Sequence, residues 1–181
     1  MKKIFLFVAI IFFMNFSLCS AKLIYDTSGR ISFETSNYWY PVSMGEDAVI
    51  MELHSVALDK DTAVTFKQSK FISKYKSMRS ISYSEKSILR DNTVQFHINL
   101  FKSQNYSVVV NKTDVFNDFI ITGFTLYKNG FEYKAVMMFT MKDYIFYSIN
   151  VLATSSTAYE AMNVANSLKI DGIQFKNWIL H

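Results

Sequence analysis

The chain has one cysteine, one proline and five glycines in 181 residues, and each shortage excludes something. The lone cysteine, Cys19, has no partner for an intramolecular disulfide and no second thiolate for a zinc–sulfur centre. The glycines are too few and too scattered for a phosphate-cradling loop, and with Pro41 as the only proline no flexible linker divides the chain. The histidines number three, His54, His97 and His181. No two have the spacing of a metal-binding helix or hairpin, so no metal site is expected. His54 and Glu52, two apart on a predicted strand, read as a satisfied polar pair. Serine is frequent, yet no Gly-x-Ser-x-Gly elbow surrounds any of them, and no nucleophile–base pair is legible. No catalytic set and no cofactor are therefore expected, and an unrecognised hydrolase is the least favoured reading.

Charge of one sign is also scarce. The formal charge is +4 and falls to +2 without Lys2 and Lys3. That balance does not call for nucleic acid as a partner. The acidic pairs Glu46-Asp47 and Asp59/Asp61 lack the glycine and distal glutamate of a calcium loop and read as turn chemistry.

What is present starts with Met1-Lys2-Lys3, then an apolar run from Ile4 to Phe16 broken by Asn15, then Ser17-Leu18-Cys19-Ser20-Ala21. A positive start, an apolar stretch and small residues at the end make a cleavable signal peptide over 1–21, cut after Ala21. The run is short of the roughly 20 apolar residues that cross a bilayer core. Lipidation at Cys19 is the rival, but Leu18, Ser17 and Phe16 fit a lipoprotein signal poorly. The expectation is an exported chain, periplasmic or secreted, with one domain over 22–181 and no transmembrane segment in the mature chain. Half of the residues are apolar, enough for a sizeable core.

Beyond the leader Lys22 to Arg30, alternation predicts a strand from Ile31. Apolar, β-branched stretches predict a hairpin of Ala48–Leu58 and Thr62–Phe66 around Asp59-Lys60-Asp61. Phe71, Ile72, Tyr75 and Met78 have helical spacing. Ser82-Tyr83-Ser84-Glu85 matches a capping box and starts a helix near Tyr83. Asp91-Asn92 then signals a turn. Val94, Phe96, Ile98 and Leu100 alternate, so the preferred reading ends the helix near Arg90 and places a strand over 93–101, with one helix to Ser103 left open. Further strands are predicted at Tyr106–Asn111 and Phe119–Tyr127. Asn129-Gly130 supplies the positive φ angles of a hairpin turn. In the strand after it Phe131, Tyr133, Ala135, Met137, Phe139 and Met141 share a face. Beyond a turn at Lys142-Asp143, Ile145, Tyr147, Ile149, Val151 and Ala153 share another. Thr157 and Glu160 form a second capping-box candidate, opening a helix with the stripe Ala161, Val164, Ala165 and Leu168. The sum is an α+β fold, an antiparallel sheet covered by two or three helices, its first hairpin joined to its last meander.

This order resembles the PsbP-like and DcrB-like superfamily of small exported domains. The resemblance runs from about Ile31 to Ile170 and rests on the aromatic start Phe33 with Tyr38-Trp39-Tyr40-Pro41, the hairpin, the helix, the Asn129-Gly130 meander, the Tyr- and Ile-rich last strand and Ser167 at the end of its helix. It departs from the pattern where Pro41 follows Trp39. The resemblance implies a PsbP-like sandwich and a non-enzymatic binding or assembly module, and supplies no catalytic residues.

Two constellations bear on binding. Lys67, Lys70, Lys74, Lys76, Arg79, Lys86 and Arg90 outnumber the single Glu85 in their segment, and as a basic patch they would meet an anionic surface or an acidic envelope protein. A solvated helix face is the simpler reading of them. Tyr38, Trp39 and Tyr40, with Phe175 and Trp178 in the tail, could line an apolar pocket rather than fill the core. The leading expectation is an exported binding module contacting a protein or anionic surface. The alternative is a carrier of a small apolar or lipid ligand held between sheet and helices.

Overall fold

The computed structural model describes residues 21–45, 49–56 and 62–180. The signal-peptide reading up to Ser20, the acidic pairs Glu46-Asp47 and Asp59/Asp61, and His181 lie outside them.

Two antiparallel sheets form the molecule. A seven-stranded sheet has the order β3-β4-β5-β9-β8-β7-β6, and a small one the order β1-β2-β10-β11. The strands of the large sheet are β3 (Trp39–Met44), β4 (Val49–Ser55), β5 (Ala63–Ile72), β6 (Ser107–Val115), β7 (Phe119–Lys128), β8 (Phe131–Lys142) and β9 (Ile145–Thr154). Those of the small sheet are β1 (Lys22–Tyr25), β2 (Ile31–Thr35), β10 (Lys169–Ile170) and β11 (Ile173–Gln174). The helices are α1 (Tyr83–Ser103), α2 (Ala158–Asn166) and the single turn α3 (Phe175–Trp178).

Antiparallel pairing of β5 with β9, from Ala63↔Leu152 to Ile72↔Ile145, fuses the first hairpin to the meander. The expected continuous sheet is therefore present. Asn129 and Gly130 both have positive φ and turn β7 into β8, as their sequence requires. The following tight turn lies one residue later than expected. Asp143 and Tyr144 carry the positive φ angles, and Lys142 still belongs to β8. Pro41 lies on the edge strand β3, where a missing N–H is tolerated, and the register shifts between Pro41 and Ser43.

The apolar stripes of β8 and β9 face opposite sides, because Met137 lies across from Asn150 and Met138 across from Ile149. Both faces of the sheet are thus apolar and both need cover. On one face Met51, Leu53, Val64, Phe66, Ile149 and Val151 pack against Ile24, Ile31 and Phe33 of the small sheet, with Ala161, Val164 and Ala165 of α2, Leu168 just beyond its end, and Phe175 of α3. On the other, Phe124, Leu126, Tyr133, Ala135 and Met137 receive α1 through Val94, Ile98 and Phe101.

Three expectations are corrected. Residues 93–103 are not a strand: α1 is one helix of 21 residues, closed at its start by the Ser82–Glu85 capping box. The alternation of Val94, Phe96, Ile98 and Leu100 is two helical stripes superimposed. Val94, Ile98 and Phe101 make one, and Thr93, Phe96, His97 and Leu100 the other, at i, i+3, i+4, i+7. Thr157 and Glu160 do not form a capping box. The Thr157 hydroxyl meets Thr62 and Thr154 instead, each at 2.9 Å, and Glu160 is held by Trp39. Nor does 71–78 form a helix; β5 runs to Ile72, and only the 3-10 turn Met78–Ser80 follows.

Candidate functional site

Helix α1 crosses the sheet from the end of β5 to the start of β6. Its first stripe is consumed by the core. The second is left facing the sheet beyond that contact, with Phe96 62% exposed and Leu100 38% exposed. Apolar side chains left this far exposed together on a long helix are informative. Beneath them lies a hollow of about 560 Å³, lined by this stripe and by β5, β8 and β9.

 A separate hollow of about 420 Å³ lies on the other side of the molecule, bordered by Glu34, Ser36, Tyr38 and Glu160. About 560 Å³ falls in the range of roughly 300–1,000 Å³ typical of small-molecule sites.

The walls of the hollow under α1 are apolar: Met137 and Phe139 from β8 and Phe146 from β9, with the rings of Phe139 and Phe146 stacked at 5.1 Å. Phe146 also lines a second hollow of about 280 Å³ with Ile88, Leu89 and Met141. Polar side chains share the lining of the hollow under α1: Gln68 and Ser69 of β5, Thr93 and His97 of α1, and Ser148 and Asn150 of β9. The Asn150 amide donates to the Ser148 hydroxyl at 3.3 Å, while its Oδ1 is buried without a partner. His97 Nδ1 lies 2.8 Å from the Thr93 carbonyl. Burial holds its ring below the usual histidine range, the Thr93 carbonyl opposes this, and the Lys67 charge adds to it. Lys67, half-buried at the rim, has no ion-pair or hydrogen-bond partner among the described residues. His97 and Ser148 are not hydrogen-bonded to each other, so they do not form a nucleophile–base pair.

The seven basic residues of the segment are spread over different surroundings. Lys67 borders the hollow. Lys74 stands 3.8 Å from Glu85 and over the Tyr75 ring. Arg79 forks onto Asp118, and Arg90 pairs with Asp91 at 2.7 Å. Lys86 is buried, its Nζ donating to the Asn117 carbonyl at 3.1 Å. Lys70 and Lys76 are exposed. At least four of the seven, Lys74, Arg79, Lys86 and Arg90, thus have anionic or carbonyl partners of their own, and Lys70 is not free either.

The three aromatic residues also separate. Trp39 is fully buried and its indole donates to Glu160 at 2.8 Å. Tyr40, next along β3, points to the opposite face, its ring 6.4 Å from that of His54. Tyr38 borders the separate hollow with Glu34 and Glu160. Phe175 is core, and Trp178 stacks on it at 5.9 Å. His54 lies 2.7 Å from Glu52, the polar pair expected. Phe96, His97 and Leu100 were hidden by the strand reading of their segment; the signal that finds them is the second helical stripe.

With both sheet faces covered, the small sheet and α2 on one and α1 on the other, the architecture is an α+β sandwich. No protein-family model matches the chain, and no curated protein matches it. Among solved structures it is similar to cyanobacterial PsbP (CyanoP) from Synechocystis sp. PCC 6803, with a TM-score of 0.58 at 12% identity over 85% of this chain and 94% of that one. LpqN of Mycobacterium tuberculosis, described as involved in cell envelope biogenesis, aligns with a TM-score of 0.47 at 13% identity over 83% and 91%. The Ran-binding protein Mog1p of Saccharomyces cerevisiae aligns with a TM-score of 0.46 at 10% identity over 84% and 96%. The likeness to PsbP shows that the fold is PsbP-like. Among the described residues no helix is long and apolar enough to cross a membrane.

Proposed function

We propose that this chain is a non-enzymatic exported binding module that carries a small apolar or lipid ligand between α1 and the sheet. Export follows from a signal peptide over 1–21, which leaves 22–181 as the mature domain in the periplasm or outside the cell. One observation carries the ligand reading: the second stripe of α1 holds Phe96 and Leu100 over an apolar-walled hollow instead of in the core. Burying such side chains against an apolar chain is favourable at about 25 cal/mol per Å². The reading of a basic contact surface has less support, because Lys74, Arg79, Lys86 and Arg90 are engaged within the fold.

Native mass spectrometry of the protein purified without detergent tests this. A co-purifying small apolar species, lost when Leu100→Trp fills the hollow, is the expected result. A clean unliganded mass, with no uptake of added dodecanol, would remove the proposal.

A further inference from the structure

The hollow has one charged side chain at its rim, Lys67, that has no counter-charge among the described residues. Lys67 projects from β5 on the face of the sheet that α1 overhangs, since its cross-strand partner is Ser148, a residue of the hollow. The other cations of the segment whose partners are described above are neutralised or buried. Apolar rings therefore adjoin a half-buried lysine. A lysine is a compact point charge, and no arginine fork lines this hollow to hold a phosphate on two sides. One positive charge balances one negative charge, whereas a phosphate monoester carries about −1.5 to −2.

We infer, resting on the ligand reading above, that the hollow takes a single-chain fatty carboxylate, with Lys67 holding the head and Phe96, Leu100, Phe139 and Phe146 covering the chain. Lys67 sets the class of ligand, and the apolar walls set only that it is apolar.

Calorimetric titration with dodecanoate, dodecanol, dodecyl phosphate and dodecyltrimethylammonium, each kept below micelle formation, separates the two. Dodecanoate is expected to bind with 1:1 stoichiometry, roughly tenfold more tightly than dodecanol, the scale of one charge-assisted hydrogen bond. Lys67→Met should erase that preference and leave dodecanol within about twofold. Leu100→Trp should weaken both ligands together. Equal affinity for acid and alcohol, unchanged by Lys67→Met, would overturn the fatty-carboxylate inference and leave the ligand reading standing. Preference for the phosphate or the ammonium would overturn it likewise. Failure of all four to bind would remove both. Circular dichroism of each variant confirms that the fold is intact, and Lys67→Arg, which keeps the charge, should retain the preference for the acid.

Discussion

The indole Nε1 of Trp39 donates to Glu160 Oε1 at 2.8 Å, joining the start of β3 to the first turn of α2 across 121 residues of chain. Ser36 donates to the same oxygen at 2.9 Å. Trp39 is fully buried, so its N–H has no water to fall back on. Glu160→Ala should cost about 1–3 kcal/mol, the penalty for stranding a buried donor, and Glu160→Gln, which keeps an acceptor, clearly less. Urea denaturation of the two variants checks the order.

The continuity of α1 is testable at Asn92, which is exposed in mid-helix. Asn92→Pro removes a helical hydrogen bond and should cost about 3 kcal/mol or more. Asn92→Ala should be neutral or slightly stabilising. A harmless proline would restore the turn that Asp91-Asn92 suggests.

Stability and ligand uptake should separate on the two stripes of α1. Phe96→Ala and Leu100→Ala remove exposed side chains and should change stability by less than about 1 kcal/mol while weakening dodecanol uptake. Phe124→Ala, in the buried cluster that receives the other stripe, should cost about 3–5 kcal/mol. Thermal melts and ligand titrations of the same variants make the comparison.

Two side chains predict the acid limb of stability. Burial first, then the nearby Lys67 charge, holds His97 below its ordinary value of 6.5. A lowered histidine contributes no penalty above that value, and stability erodes as pH falls below it, because the unfolded chain takes up the proton first. His97→Gln should flatten the slope between pH 7 and 5. Hydrogen bonds from Ser82 first, and from Tyr75, hold Glu85 down to about 2. Its contribution is present above the unfolded value of 4.5 and is lost as pH falls toward about 2, so Glu85→Gln should flatten that lower region. Denaturation midpoints across pH read both.

Processing is checked by intact mass and N-terminal sequencing of the protein recovered from the envelope and the medium. The expected first residue is Lys22. Retention of Met1, or an acylated Cys19 as first residue, would contradict cleavage after Ala21.

Most of the fold was legible because its signals are local. Asn129-Gly130 fixes one hairpin through its own φ angles, Ser82 and Glu85 start α1 through two hydrogen bonds, and Ala161, Val164 and Ala165 bury one face of α2. What was illegible depended on distant partners. Glu160 three residues after Thr157 has the spacing of a cap, yet Trp39 lies far back in the chain and takes it. The segment 93–101 holds two apolar stripes, and alternation alone does not divide them. Only the presence of the sheet under one stripe and a hollow under the other does. The candidate site was consequently visible as a possibility between sheet and helix, with Lys67 the one residue of it assigned to binding from the sequence.

The pairing of β5 with β9 has a consequence for how this molecule comes into being. Its central seam joins residues 63–72 to residues 145–152, so the large sheet cannot close before nearly the whole chain is available. Such non-local closure slows folding, because the ordering cost is met before the contacts that offset it. A chain threaded outward from its N-terminus would thus stay open during passage and assemble its middle last, on the far side.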